Sequence, residues 1–341
     1  MKRLLILLIL VCSSINLWAQ FKLSGTIKHY TGHADLKINI PQVYSYDEAN
    51  SIKIPVAKNG SFSITLPIKG QKFADLIFQQ NFHLILLNRG KSLRVELSEN
   101  EKSFRPIAGT ALAENAVLLA VNIEEYPFFL QNDGAYTSLN PAKLNNRLLT
   151  PYFAMRDKKI DMVNRSSINP KDKKLIASEL RYSVYNNLHE LVLFDGHPPE
   201  KLINLLVGVF DKVTPKPEVF PAGPQYYIFA NNYLWYKQTK SAIKVKAQNI
   251  KPNQLMPGYG ITITAFNAFK ARYGELYMRW LGATRFLPNA VVEQLGYLQI
   301  SMAANNDNKV LADKLAKDYK RKFPASLYNR AINRKIAGLK H

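Results

Sequence analysis

The chain has 341 residues, 47% of them apolar, and its 46 Lys and Arg against 25 Asp and Glu give a formal charge of +21. Apolar and aromatic side chains spread along the whole length exclude a mostly disordered protein, and the length favours two domains over one. The single cysteine excludes an internal disulfide framework, a thiolate zinc cluster and a CxxC redox pair.

Residues 1–19 read as a secretory signal peptide. Lys2 and Arg3 precede an apolar run from Leu4 to Val11, and Leu17-Trp18-Ala19 offers a small residue for cleavage, which puts the mature start at Gln20. The run is too short to span a bilayer, where about 20 residues are needed. Cys12 is a poor lipoprotein anchor, because Ile9-Leu10-Val11 lack the small side chain that such a cut requires. Cleavage after Ala19 leaves no cysteine and lowers the charge to +19 by removing Lys2 and Arg3. The expected location is therefore the periplasm or cell envelope.

Residues 20–108 alternate in short segments, and a β-sandwich of antiparallel strands is expected there. Strands are read at 23–27, 35–40, 73–78, 82–87 and 93–97. Ile52 to Ala57 and Ser61 to Leu66 read as a hairpin across Lys58-Asn59-Gly60, with Asn-Gly in a type I′ turn. From Gly109 to the end of the chain the period changes to that of an α-helical domain, giving an α+β chain. Helices are expected at 112–125, 141–164, 170–194, 199–213, 225–239, 261–281, 288–304, 306–323 and 325–339. Four prolines between Thr214 and Pro224 mark an irregular connector.

No residue set carries an enzymatic signature: GxSxG, HExxH and Walker-loop patterns are missing, and no SxxK of the β-lactamase kind is read. His29 and His33 stand four apart in a strand-turn segment, where the helical spacing that lets two histidines share a metal does not apply. His189 reads as a packed or solvent-edge side chain. Glu124 and Glu125 are adjacent and cannot flank one bond, and Asp47-Glu48 lies in a loop. Pro257 to Ile261 reads as a helix-entry turn. No catalytic residue, metal ligand or cofactor is assigned.

The densest aromatic run is Tyr226, Tyr227, Phe229, Tyr233, Trp235 and Tyr236. Tyr226, Phe229, Tyr233 and Tyr236 share one helical face and read as core. Tyr227 and Trp235 fall outside that stripe and are the candidates for stacking on a sugar or peptide. Between Lys309 and Lys340 ten Lys or Arg face only Asp313 and Asp318, a net +8. Such a basic surface fits peripheral contact with an anionic surface, and an exported chain with no groove-reading motif is not expected to bind nucleic acid.

Taken in order, the leader ending Trp18-Ala19-Gln20, the strand Leu23-Ser24-Gly25-Thr26-Ile27, the segment Ile54 to Ser63, the passage Ile107 to Asn115 and the ending Phe323-Pro324-Ala325-Ser326-Leu327-Tyr328 form a pattern. It resembles the N-terminal region of TlpA-like envelope thioredoxin-family disulfide reductases. The resemblance implies a sandwich and a helical segment preceding a thioredoxin domain with a WCxxC centre. No CxxC exists here, so reductase activity is not carried over. The expected function is a non-catalytic envelope binding or scaffold module with an envelope protein or glycan as partner. The alternatives are a truncated thiol-disulfide oxidoreductase missing its thioredoxin domain and a carbohydrate-binding accessory protein.

Overall fold

The structure, a computed structural model, describes residues 20–33, 35–68, 70–101, 103–131, 133–193 and 199–339. The leader with Cys12, together with His197, Lys340 and His341, lies outside the described residues.

Eight strands form two four-stranded sheets. They are β1 (Gln20–Lys28), β2 (Leu36–Asn39), β3 (Ser51–Lys53), β4 (Ser61–Pro67), β5 (Lys72–Phe78), β6 (Asn81–Leu87), β7 (Ser92–Ser98) and β8 (Phe104–Ala108). One sheet has the order β4-β1-β7-β8 and the other β3-β2-β5-β6. Period-two burial along β1 and β7 sends Phe21, Leu23, Ile27, Leu93, Val95 and Leu97 inward. These share one buried cluster with Leu36, Ile38, Leu76, Phe78, Ile85 and Leu87 of the second sheet.

Three local expectations are corrected. First, the pairing is not purely antiparallel, because β1 and β7 run parallel with Leu23 beside Leu93; alternation dictates which face a side chain takes and says nothing of strand direction. Second, Ile52–Ala57 and Ser61–Leu66 do not form a ladder. β3 pairs with β2 and β4 with β1, leaving only an isolated bridge from Val56 to Phe62. The turn between them survives with different geometry: Gly60 N–H donates to Ala57 (2.8 Å), Ala57 N–H donates to Ser61 (2.8 Å), and Gly60 alone takes positive φ, at 78°. A left-handed residue after an ordinary turn requires Gly at that single position. Third, β8 is an additional strand at a sheet edge, where Pro106 removes no needed ladder donor.

The helices are α1 (Leu112–Val121), α2 (Asp133–Thr137), α3 (Pro141–Leu144), α4 (Thr150–Arg165), α5 (Pro170–Leu193), α6 (Glu200–Phe210), α7 (Pro224–Ala247), α8 (Ile263–Phe286), α9 (Asn289–Asn305), α10 (Lys309–Lys322) and α11 (Asn329–Ala337). A π-helical turn over Asn145–Leu149 joins α3 to α4. None of the described helices is long and apolar enough to cross a membrane. The chain divides into two compact units, residues 1–125 with 154–181, and residues 126–153 with 182–341.

In the first unit, the second face of sheet β3-β2-β5-β6 is covered around Phe73, Ile77 and Leu86 and open where Phe82 and Lys53 are exposed. Phe73 and Ile77 point away from the shared cluster yet are buried. Over that face, the Asn115 side chain of α1 accepts from Leu86 N–H (2.8 Å) and donates to its carbonyl (3.0 Å). A second anchor is polar: Lys91 pairs with Glu114 at 2.6 Å, while Asn88, Gln71 and Asn169 donate to Asp172. Glu114 and Asp172 are both almost wholly buried.

The second unit is built around rings. Phe210 of α6 stacks on Phe229 of α7 at 5.7 Å, and Tyr182, Tyr185, Tyr226, Tyr233 and Tyr236 pack around them. Each buried hydroxyl must find an acceptor. Tyr226 donates to the Pro215 carbonyl at 2.6 Å and Tyr182 to that of Lys216, which fastens the proline-rich connector to the core.

Candidate functional site

Helices α6, α7 and α8 of the second unit enclose a groove of about 910 Å³. Trp235, Thr239, Ala242, Ile243 and Lys246 of α7 line one side at i, i+4, i+7, i+8 and i+11, a single helical stripe. Ile203 and Asn204 come from α6, and Lys270, Glu275 and Arg279 from α8. Ile243 is exposed despite its size. The groove thus joins an aromatic face and aliphatic side chains to amides (Asn204, Gln238), a hydroxyl (Thr239) and charges of both signs.

The wall from α8 depends on one backbone break. Gly274 adopts φ 72°, ψ −172° inside the helix, a region open essentially to glycine alone. On a straight helix, residues five apart do not face each other. Across this kink, Lys270 and Glu275 form an ion pair of 2.6 Å. Lys246 and Arg279 have no carboxylate at ion-pair distance among the described residues, so the groove keeps cations available to a ligand.

Behind Trp235 the His189 ring stands edge-to-face at 5.0 Å. Its Nδ1 is buried without a hydrogen-bond partner. Burial, with the positive charge of Arg279 adding to it, pushes the His189 imidazole down to about 4. At neutral pH the ring is an uncharged buttress for Trp235.

The two sequence candidates part here. Trp235 lines the groove. Tyr227 does not: it is 1% exposed, and its hydroxyl donates to the Gln294 side chain, so no ring face is available for stacking. Helix α7 is packed by α6 on one side and α8 on another, and one buried stripe underestimates how much of such a helix is covered. The sequence pattern ends α7 at Thr239, eight residues short of its end at Ala247, and so leaves out Ala242, Ile243 and Lys246 of the groove.

Elsewhere, other titratable groups are perturbed without forming a constellation. Asp75, in the middle of β5, is pushed up to about 6 by burial. Glu124 is raised by desolvation and by the charge of Asp75. It lies beyond α1, which ends at Val121 because Asn122 turns left-handed at φ 39°; the expected continuation to Glu125 is corrected accordingly. His83 stacks on Phe104 at 4.9 Å, and burial lowers its basicity. Among the described residues, no group of three or more His, Cys, Asp or Glu side chains is placed to hold a metal ion. No protein-family model matches this chain, and no curated protein matches it.

Proposed function

We propose that this chain is a non-catalytic binding module of the cell envelope, and that the groove on α6, α7 and α8 holds an extended segment of a partner protein. The observation that carries this reading is the lining of the groove. Its aliphatic and aromatic side chains suit apolar residues of a peptide, its amides suit peptide backbone groups, and its mixed charges suit ionised side chains. A neutral sugar uses the Trp235 face and the amides but leaves Lys246 and Arg279 unanswered. Glycan stacking on Trp235 is therefore the second reading.

The finer architecture belongs to the same proposal. A β-sandwich of the two sheets is supported by their shared buried cluster, and kinship with the N-terminal region of TlpA-like proteins is supported by the order of strands before helices. In that setting, the module positions a partner rather than transforming a substrate.

Parallel peptide and glycan arrays probed with the chain from Gln20 onward test the reading. Binding to peptides that carry apolar and acidic residues, abolished by Ile243→Glu and weakened at least tenfold by Trp235→Ala, is the expected result. Binding confined to glycans selects the second reading. Peptide binding indifferent to both substitutions removes the groove from consideration.

A further inference from the structure

The loop between α10 and α11 holds a leucine out in solvent. Leu327 is 94% exposed, and the backbone around it is fixed. Asn329 donates through its side chain to the carbonyls of Phe323 (3.1 Å) and Pro324 (2.9 Å), Ser326 Oγ meets the Tyr319 hydroxyl at 2.8 Å, and Tyr328 stacks on Tyr297 at 4.7 Å. The leucine is thus presented by an anchored turn.

Cations flank it on both sides along the chain. Lys317, Lys320, Arg321 and Lys322 end α10, and Arg330 and Arg334 belong to α11, all exposed. Arg321 pairs with Asp318 at 3.1 Å. Lys317, Lys320, Arg330 and Arg334 have no carboxylate partner among the described residues. A lone exposed leucine needs no explanation on an ordinary surface. One fixed outward between unpaired cations has the chemistry of an interfacial anchor, with the alkyl group entering the acyl boundary and the cations meeting phosphate headgroups.

We propose that the α10–α11 turn docks on a bilayer surface rich in anionic phospholipid, with Leu327 as the inserting side chain. The proposal is independent of the groove. Cosedimentation with phosphatidylcholine vesicles, with and without phosphatidylglycerol, at about 0.15 M salt reads it out. Binding is expected only with phosphatidylglycerol. Leu327→Ser should weaken it about tenfold, and Lys320→Gln with Arg330→Gln about 25-fold, near fivefold per charge. All three positions are exposed, so folding is preserved. Lys58→Gln with Lys53→Gln, which removes the same charge from an exposed part of the strand region, should change little. Equal losses from both charge pairs would show generic attraction to a basic chain and overturn the proposal. So would an unchanged partition for Leu327→Ser, or a concentration-dependent dimer abolished by Leu327→Ser, which would make a second copy the occupant.

Discussion

Replacing Asp75 by Asn should stabilise the first compact unit at alkaline pH and do little at acid pH. Asp75 sits mid-strand in β5 between Asn39 and Leu84 of its neighbours, on the side facing α1, and its carboxylate has no hydrogen bond or ion pair among the described residues. Burial raises its carboxyl from 3.8 to about 6. For a group raised on folding, the contribution to stability is complete below the unfolded value and is lost as pH climbs through the folded one. The native chain therefore carries a penalty above pH 6 that is absent near pH 4. At 1.36 kcal/mol per tenfold change in proton affinity the penalty is at most about 3 kcal/mol, less whatever the remaining solvent contact screens. Asparagine keeps the shape and removes the charge. The difference in unfolding free energy between variant and parent should shift in the variant's favour by about 2–3 kcal/mol between pH 4 and pH 8. In a unit of this size that is ~4–12 °C in Tm. Urea titration at both pH values, followed by far-ultraviolet circular dichroism, measures it. A variant that is less stable at pH 8, or equally shifted at both pH values, would refute the burial argument.

Three further outcomes follow from other sites. Lys91→Met strands Glu114 and Asp172 without their cation and should cost about 3 kcal/mol in urea unfolding; because burial already raises Asp172, part of the loss should return on acidification. Gly274→Ala forces a side chain into a glycine-only conformation, so a cost of ~1–3 kcal/mol is expected together with weaker ligand binding, and an unchanged Tm would contradict the role of the kink. His189, lowered to about 4 on folding, contributes stability that is present above pH 6.5 and lost as pH falls through 4; His189→Gln should flatten that loss in the second unit, which a pH series of thermal melts resolves.

Much of the secondary structure is legible in the sequence because its cues are local. Asn140-Pro141 and Asn169-Pro170 mark helix starts that the structure keeps, with the Asn140 side chain accepting from Lys143 N–H and that of Asn169 from Asp172 N–H. Strand partners depend on contacts far apart in the chain, which is why the 52–66 hairpin and the parallel β1–β7 pair could not be read from alternation. Pro106 hid β8, since a proline argues against a strand unless the strand lies at an edge. The kink at Gly274 was invisible because apolar spacing continues on both sides of it. The candidate site was half legible. Trp235 stands outside the Tyr226-Phe229-Tyr233-Tyr236 stripe, as a ligand-facing ring should. Continuing the helix past Thr239 would have added Ala242, Ile243 and Lys246 in register.

Occupancy of the Trp235 groove by a bound peptide can be measured by calorimetric titration of an array-selected peptide into the parent chain and into Trp235→Ala and Ile243→Glu, with acrylamide quenching of tryptophan emission recorded alongside. Saturable binding that shields Trp235 from acrylamide is expected, with a loss of at least tenfold in affinity for Trp235→Ala and no detectable binding for Ile243→Glu. Full affinity in both variants, with quenching unchanged by the peptide, would contradict that occupancy.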